Sequence, residues 1–420
     1  MSQYWRLLRT NRNYRLLWLG ALISNLGDWF NLIASAALVA QLTTTGTAIS
    51  YLFLARFLPL FFFSPIAGVL ADRYSRQAIM IVTDVLRALI VLGFLLIRDP
   101  SQIWLLYLLT VSQFVLSALF TPARSAVLAN VVRTEELVTA NALDSLTWST
   151  MLAVGSMLGG VVAALFGGTT AFVVDAGTFF LSAWFISRIT NIHQSSADLV
   201  ARRGWLAFLD GLRYLRGAPA ILALSLVKGG GSLVWGAVNV LEVNFAEKIF
   251  PLGGHNSTAT LGIIYTISGL GTGLGPLLLR RVFGDEPARA RWAITSGFVL
   301  LTTGLFVLSM APTLPVFALG TLIRTIGSGT IWVFSAALLQ MLVPDRVRGR
   351  VFAFEFAFLT LTQSISIFWA GYGQDTLHLG VRQVTALMGW VGVAVLGLWF
   401  LLQLRVEATQ AAVESQERAS

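Results

Sequence analysis

Gly68-Val-Leu-Ala-Asp-Arg-Tyr-Ser-Arg76 is the stretch that decides the fold. It joins two long apolar runs, and lipid offers no water to unpaired backbone groups, so both runs are predicted to be membrane-spanning helices. The stretch itself is then a short turn that places Asp72, Arg73 and Arg76 at the bilayer edge. Asp72 can accept hydrogen bonds from basic side chains or from a helix N-terminus. The turn is therefore predicted to act as a polar latch between helices.

The composition is that of a membrane protein. Of 420 residues, 56% are hydrophobic and 12% are charged, whereas soluble domains carry about 25% charged residues. There is no Cys, and the three His residues lie far apart in predicted loops. We therefore expect no metal site and no cofactor, and the lack of a clustered nucleophile or phosphate-binding loop argues against an enzyme.

Twelve apolar segments each reach the roughly 20 residues that a helix needs to cross a bilayer. Very short turns at 43–46, 167–168 and 311–312 force antiparallel neighbours, so both termini are predicted on one side. The predicted spans are 16–41, 47–70, 77–97, 102–131, 137–166, 169–189, 219–246, 258–280, 291–310, 313–343, 350–373 and 381–404.

The basic residues predict the orientation, because cytoplasmic loops of membrane proteins are rich in Lys and Arg. With a cytoplasmic N-terminus, 22 of the 29 Lys and Arg residues lie on the cytoplasmic side and three, Arg98, Lys248 and Arg382, lie outside. We thus expect a multi-pass protein of the plasma membrane with both termini in the cytoplasm. The excess of basic residues is explained by membrane orientation, so it is not evidence for nucleic-acid binding.

The pattern G-x-x-x-D-R-x-x-R from Gly68 to Arg76 resembles the signature loop of the major facilitator superfamily. The resemblance implies an all-α fold of twelve transmembrane helices in two pseudo-symmetric six-helix bundles. It also implies that the loop is a conformational latch formed by Gly68, Asp72, Arg73 and Arg76, with Asp72 meeting the start of span eleven. The alternative is that these charges only anchor a basic loop.

A weak internal repeat agrees with this resemblance and sets the expected domains. They are an N-terminal half, 1–189, a linker, 190–218, a C-terminal half, 219–405, and a polar cytoplasmic tail, 406–420. Aromatic and aliphatic residues interleave with Arg residues between Trp205 and Arg216. This pattern predicts an amphipathic helix on the cytoplasmic lipid surface, so membrane lipids are an expected partner.

Further stretches resemble the drug:proton antiporter branch that contains macrolide-efflux and enterobactin-export proteins. They are Arg12-Asn-Tyr-Arg, Gly27-Asp28, Thr83-Asp-Val-Leu-Arg87 and Pro122-Ala-Arg. Span five is also similar to the antiporter motif, through Gly155, Gly159 and Gly160, although Ser156 replaces the usual Pro. Ordinary helix packing is the alternative role for these glycines.

Charges inside the spans are expected to carry the mechanism, since each costs at least about 2.5–3.5 kcal/mol at mid-bilayer. Asp28, Lys228 and Arg324 lie near the middles of spans one, seven and ten. Asp28 is predicted either to carry protons or to form a fixed bridge with Lys228 or Arg324, and the sequence leaves both open.

Other charges are assigned to the helix ends or to packing. Asp84 and Arg87 are three residues apart and are predicted to neutralise each other. Asp144 and Glu355 are predicted to belong to the latch, facing Arg124, Arg348 or Arg350. The roles of Arg56, Asp175 and Glu242 stay open.

Aromatic residues dominate the expected cavity wall, and Trp29, Trp235 and Trp332 are among the candidates. The alternative is that these rings fill lipid-facing surfaces. Such walls suit bulky amphipathic molecules. We therefore expect a monomeric secondary transporter that exports a hydrophobic or amphipathic small molecule (a drug, macrolide or siderophore-like compound) in exchange for protons by alternating access. An importer or lipid transporter on the same fold, or a non-transporting membrane sensor, is the alternative.

The latch prediction is tested by Asp72→Asn, which keeps the side-chain size but removes the charge. We expect normal amounts of protein in the membrane but strongly reduced transport, because the closed state loses its polar contact. Transport by vesicles matched for protein content measures this. Wild-type transport by the variant would reduce the loop to a topological anchor.

Overall fold

The computed structural model describes residues 3–43, 45–133, 136–190, 213–252, 258–284 and 286–419. Of these, the side chains at 64–65, 68–69, 71–73, 138, 345–346, 349 and 406–419 lie outside the description. Within the described ranges the chain consists of helices and the turns between them, with no strand. The predicted all-α membrane fold is confirmed.

Within the described ranges, twelve α-helices follow one another. A short amphipathic helix that the sequence analysis did not predict, α1, covers Gln3–Thr10 and precedes the first span. A five-residue π-helical turn, Phe245–Ile249, directly follows the helix that ends at Asn244. The others are α2 (Arg12–Leu42), α3 (Gly46–Arg73), α4 (Arg76–Gly93), α5 (Ile103–Val131), α6 (Leu137–Ser187), α7 (Pro219–Asn244), α8 (Thr258–Phe283), α9 (Pro287–Met310), α10 (Leu314–Leu342), α11 (Asp345–Asp375) and α12 (Val381–Ala419).

Helix α6 holds two spans because its backbone breaks at Gly167. The dihedral angles there are φ 81° and ψ 162°, a region that residues with a Cβ avoid. The break separates an arm at 137–166 from an arm at 168–187, as the predicted turn at Gly167–Gly168 requires. With α6 counted as two, α2 to α12 supply the twelve predicted spans.

The described residues divide into two compact units. Unit 1 comprises Met1–Trp205 and Val240–Leu270, and unit 2 comprises Leu206–Asn239 and Gly271–Ser420. In unit 1, α2 packs along α6, while α4 packs against α5 and α6. In unit 2, α9 packs against α10 and α12.

The ends of the unit 1 helices are joined by side chains that bond to backbone carbonyls. Asn11 Nδ2 donates to the Val131 carbonyl at 2.6 Å, and Tyr14 Oη donates to the Ala140 carbonyl at 3.1 Å. Gln77 Nε2 donates to the carbonyls of Ile186 and Ile189, both at 2.9 Å. The Val131, Ile186 and Ile189 carbonyls lie at C-terminal helix ends, so these side chains add bonds where the helical hydrogen-bond ladder stops, whereas the Ala140 carbonyl lies in the first turn of α6.

Gly167→Ala is predicted to destabilise the protein although open space surrounds this position. The cost is about 1–3 kcal/mol, because Ala must adopt backbone angles that only Gly tolerates. Thermal unfolding of the purified protein in detergent measures the loss. Gly177→Ala is the matched control, since Gly177 also has open space around it but sits in regular helix. Equal stability of the two variants would contradict the prediction.

Candidate functional site

In unit 1, Asp84 and Arg87 form a buried ion pair one turn apart on α4. Ser182 Oγ, on the second arm of α6, donates a 2.7 Å hydrogen bond to Asp84 Oδ2. The Arg87 guanidinium lies over the rings of Phe120 and Phe179, 4.6 and 4.4 Å from their centres. Asp84 is thus fully engaged by a cation and a hydroxyl, and the pair joins α4 to α5 and α6.

Arg56 on α3 is the second buried cation of unit 1, with 8% of its surface exposed. Its Nη1 lies 3.4 Å from Asn31 Oδ1 on α2, and its guanidinium lies 4.5 Å from the centre of the Phe114 ring. Ser35 Oγ also donates to Asn31 Oδ1, at 3.3 Å. Arg56 is therefore held by a neutral amide and an aromatic face, both weaker partners than a carboxylate.

Arg56 also interacts electrostatically with two carboxyl groups, those of Asp28 and Asp175. Asp175, on the second arm of α6, is fully buried and receives the Thr178 hydroxyl at 3.4 Å from its Oδ1. Gly27 makes this approach possible, because a Cβ at that position would overlap Asp175 Oδ1 and Thr178 Oγ1. Asp28, the next residue on α2, is only partly buried.

The antiporter-like glycines lie where helices of unit 1 pack closely. A Cβ on Gly155 would come within 3.0 Å of Trp29 Cδ1, and one on Gly159 within 3.2 Å of the Phe30 Cα. Gly160 faces Gly262 of α8, where a Cβ would come within 2.9 Å of the Gly262 Cα. Small residues at these positions let backbones meet, as in other membrane bundles.

Trp29 on α2 packs against both α6 and α8. Its ring centre lies 5.7 Å from that of Tyr265 on α8, with the planes tilted by 51°. The ring also covers Gly155 of α6. Trp29 therefore links α2, α6 and α8 beside the partly exposed Asp28.

In unit 2, Lys228 pairs with Glu355 across α7 and α11. Lys228 Nζ lies 3.2 Å from Glu355 Oε1, and the two side chains are 7% and 3% exposed. The ammonium also lies 4.7 Å from the ring centre of Trp332 and 5.9 Å from that of Phe352. The sequence predicts Lys228 in the cavity and Glu355 in the latch, and the structure brings the two side chains together.

Small residues next to Lys228 hold α7 against α11. Ser232 Oγ donates to the Leu359 carbonyl at 3.0 Å and lies 2.6 Å from Thr362 Oγ1. Ser366 Oγ accepts from the Ala237 backbone nitrogen at 2.8 Å. This polar seam fixes the distance across which Lys228 and Glu355 meet.

The remaining cavity candidates of unit 2 lie on α7 and α10. Trp235 is half-buried, Trp332 is 46% exposed and Arg324 is 6% exposed. Arg324 lies at a close contact between α9 and α10, because a Cβ on Gly304 would meet the Arg324 backbone. Trp332 is therefore the cavity candidate of unit 2 that combines a charged neighbour with an accessible ring.

The predicted latch residues are only partly placed. The surroundings of Gly68 and the side chains of Asp72 and Arg73 lie outside the described part of the chain. Arg76 and Arg350 are half-buried at the starts of their helices. Arg124 Nη2 donates to Asp144 Oδ2 at 2.7 Å, with side-chain exposures of 21% and 18%. Asp144 thus has one of the three partners that the sequence analysis considered for it.

Asn31 is the site residue that the sequence analysis missed. It lies one helical turn after Asp28 on α2 and is 1% exposed. That spacing, an amide three residues after a carboxylate inside a span, was a signal available in the sequence, since such residues share a helix face.

Comparison with known proteins identifies the family. Residues 17–367 match the Major Facilitator Superfamily. The chain belongs to this superfamily. Membership makes it a multi-pass membrane transporter rather than an enzyme, in agreement with the predicted class.

Relatives of this superfamily member include proteins named as exporters. It is 26% identical to the MFS-type transporter YfiS of Bacillus subtilis, over 92% of this chain and 89% of YfiS. It is 24% identical to the putative bacilysin exporter BacE of the same species, over 94% and 95% of the two chains. It is 25% identical to the enterobactin exporter EntS of Salmonella typhimurium, over 68% and 67%. The predicted resemblance to enterobactin-export proteins is confirmed.

A solved structure shows the same fold. A bacterial homolog of the human lysosomal transporter Spinster, in an inward-facing and unoccupied conformation, superposes with a TM-score of 0.73 at 14% identity. The match covers 94% of this chain and 97% of that one. At this identity the likeness establishes the major facilitator fold alone.

Lys228→Met is predicted to lower thermal stability strongly, by about 3–5 kcal/mol, because Glu355 then keeps a buried charge without its cation. Adding Glu355→Gln should restore most of the loss. The measurement is a double-mutant cycle by thermal unfolding in detergent.

Arg289→Met is the matched control for this cycle. The Arg289–Glu286 pair has the same separation, 3.2 Å, but its side chains are 68% and 63% exposed. Exposed pairs contribute little, so this variant should unfold like the wild type. If Lys228→Met is equally harmless, the Lys228–Glu355 pair is not desolvated.

Proposed function

We propose that this transporter exports a hydrophobic or amphipathic small molecule in exchange for protons, by alternating access. The observation that carries the proposal is Asp28, a partly exposed carboxyl that adjoins a buried set of charges. Proton exchange needs a titratable group that is accessible to solvent. The group also needs charged neighbours that can stabilise or oppose its ionisation. Asp28 meets both requirements, since Arg87, Arg56 and Asp84 act on it.

The substrate class is supported by two features. Trp29 on α2 and Trp332 on α10 offer aromatic surfaces next to Asp28 and Lys228 respectively, which suits bulky molecules with a charged group. The relatives BacE and EntS are named for the export of bacilysin and enterobactin. Those names support export rather than import for this chain.

We place the protein in the plasma membrane as a monomer with both termini cytoplasmic. The distribution of 22 basic residues on one side and three on the other supports this orientation. In this arrangement 1–189 and 219–405 are the two halves, 190–218 is the cytoplasmic linker, and 406–420 is the tail. Most of the proposed amphipathic helix in the linker lies outside the described residues.

The latch role proposed for the loop at Gly68–Arg76 fits the same cycle. Ser75 caps α4 by accepting the Ala78 backbone nitrogen at 3.3 Å, which fixes the end of the turn. Asp144 with Arg124, and Arg350 at the start of α11, supply charges near helix ends. Their contacts are proposed to break as the transporter changes conformation.

Inside-out vesicles from a bacterial host without its own efflux pumps test the exchange. Respiration acidifies their interior, and the pH gradient is followed with a quenched acridine dye. We expect that ethidium, erythromycin or enterobactin relieves the quench in vesicles that carry the wild type, because uptake of substrate releases protons. Asp28→Asn should abolish this response, since Asn cannot change charge.

Glu286→Gln serves as the control variant, because Glu286 is exposed and lies outside the spans. It should respond like the wild type. Probe uptake that persists after nigericin collapses the pH gradient would contradict proton antiport while leaving export intact. Probe movement in the opposite direction, out of inside-out vesicles, would favour an importer.

A further inference from the structure

Helix α1 is held against the end of unit 1 by a buried side chain. Leu7 is 2% exposed and belongs to a hydrophobic cluster that also contains Ile186, near the end of the second arm of α6. The extended backbone of Asn11, with φ −106° and ψ 98°, separates α1 from α2. Arg15 Nη1 of α2 donates to the Leu8 carbonyl at 3.3 Å. Helix α1 is therefore a packed part of unit 1.

The side of α1 opposite Leu7 carries an aromatic ring and a cation. Trp5 and Arg9 each lie two residues from Leu7, which turns both away from it, and their own spacing of four residues places them on one face. Trp5 is 48% exposed, and the Arg9 guanidinium lies 4.8 Å from the centre of its ring. Arg6 and Arg9 are exposed as well. The exposed side of α1 thus presents an indole beside two guanidinium groups.

The same arrangement recurs at the end of the second arm of α6. Trp184 is 49% exposed, and the Arg188 guanidinium lies 5.4 Å from the centre of its ring. Arg188 directly follows α6 and is also exposed. Between these two residues, Ile186 lies in the cluster that holds Leu7. Two exposed Trp–Arg pairs therefore lie at the same end of unit 1, with one hydrophobic cluster behind them.

The pair on α6 marks the level of the bilayer surface. Trp rings favour the interface between acyl chains and headgroups, and α6 is apolar enough to span the membrane up to Ser187. Because Leu7 and Ile186 share a cluster, α1 lies at the level of this interface. The Trp5 ring and the Arg9 guanidinium are then at the depth of the lipid headgroups.

The charge of these two segments selects the kind of lipid. Residues 176–197 contain Arg188 and no Asp or Glu. Residues 1–27 also contain no Asp or Glu, and they contain four arginines, which are Arg6, Arg9, Arg12 and Arg15. Anionic headgroups complement this excess, whereas zwitterionic headgroups bring no net charge to offset it.

We propose that the Trp5–Arg9 and Trp184–Arg188 pairs bind anionic phospholipids of the surrounding membrane. The guanidinium groups bind the lipid phosphates, and the indole rings lie at the boundary between headgroups and acyl chains. Bound lipid holds α1 against the cluster around Leu7, so it stabilises unit 1. The assignment of these lipids to the cytoplasmic leaflet rests on the proposed orientation, whereas the preference for anionic lipid does not.

Melting curves of the full-length protein in detergent test the proposal. The protein is titrated with short-chain phosphatidylglycerol, with phosphatidylcholine of the same chain length, and with inorganic phosphate. We expect phosphatidylglycerol alone to raise the melting temperature of the wild type. The lipid concentration at half of the rise should increase about fivefold in Arg9→Gln and about 25-fold in Arg9→Gln/Arg188→Gln, because each cation at an anionic lipid surface contributes roughly fivefold.

Arg133→Gln is the matched control for the loss of one positive charge. Arg133 is an exposed arginine that follows α5 in unit 1, with no aromatic residue within four positions of it. This variant should bind phosphatidylglycerol like the wild type.

A fluorophore on α1 reports contact with lipid directly. The chain has no native Cys, so Tyr4→Cys places a single label on this helix, at a side chain that is 39% exposed. In liposomes, spin-labelled phosphatidylglycerol should quench this label more strongly than spin-labelled phosphatidylcholine does. Equal quenching by the two lipids, or none by either, would overturn the proposal.

Three results of the titrations would also overturn it. Equal stabilisation by phosphatidylcholine would show that acyl chains alone are bound, and equal stabilisation by inorganic phosphate would show an anion site without lipid. An unchanged phosphatidylglycerol response in the double variant, or the same loss in Arg133→Gln, would place the lipid elsewhere. These experiments use no transported substrate and no pH gradient, so a failure of proton exchange in vesicles leaves their outcome unaffected.

Discussion

Charge neutralisation inside a bilayer is the constraint on which this structure depends. A charge costs at least about 2.5–3.5 kcal/mol at the centre of a spanning helix unless a partner offsets it. Arg87 with Asp84 and Lys228 with Glu355 meet this constraint through direct pairs, and aromatic faces add to both. Because the two charged groups of each pair must stay within contact distance, a change in helix packing also changes how well the charges are neutralised.

Small residues set those distances. Gly27 lets α2 approach the Asp175 carboxylate on α6, and Ser232 joins α7 to α11 beside Lys228. In lipid there is no hydrophobic force between helices, so close backbone packing and interhelical hydrogen bonds hold them together. A larger side chain at Gly27 would separate α2 from α6 and expose the Asp175 carboxyl that the contact now buries.

The fold was readable from the sequence, but the site was readable only in part. Span lengths, the break at Gly167 and the pairing of Asp84 with Arg87 follow from local rules of length, backbone freedom and helical spacing. Lys228 and Glu355 are far apart in sequence, and their meeting depends on how α7 and α11 are rotated. Hydrophobic patterning does not fix that rotation, because neither helix has a strongly one-sided apolar face. Arg56, Asn31 and Asp175 lie on three different helices, so their grouping could not be predicted from the sequence for the same reason.

The two buried charge sets differ in what can neutralise them. Lys228 and Glu355 already form a complete pair, so an added proton on Glu355 would release a cation rather than remove a charge. In unit 1, Arg56 instead contacts a neutral amide, that of Asn31, and the ring of Phe114. Arginine keeps its proton in proteins, so this cation stays charged. Under the proposed proton exchange, Asp28 is the group that changes charge, whereas the completed pair of unit 2 keeps its own.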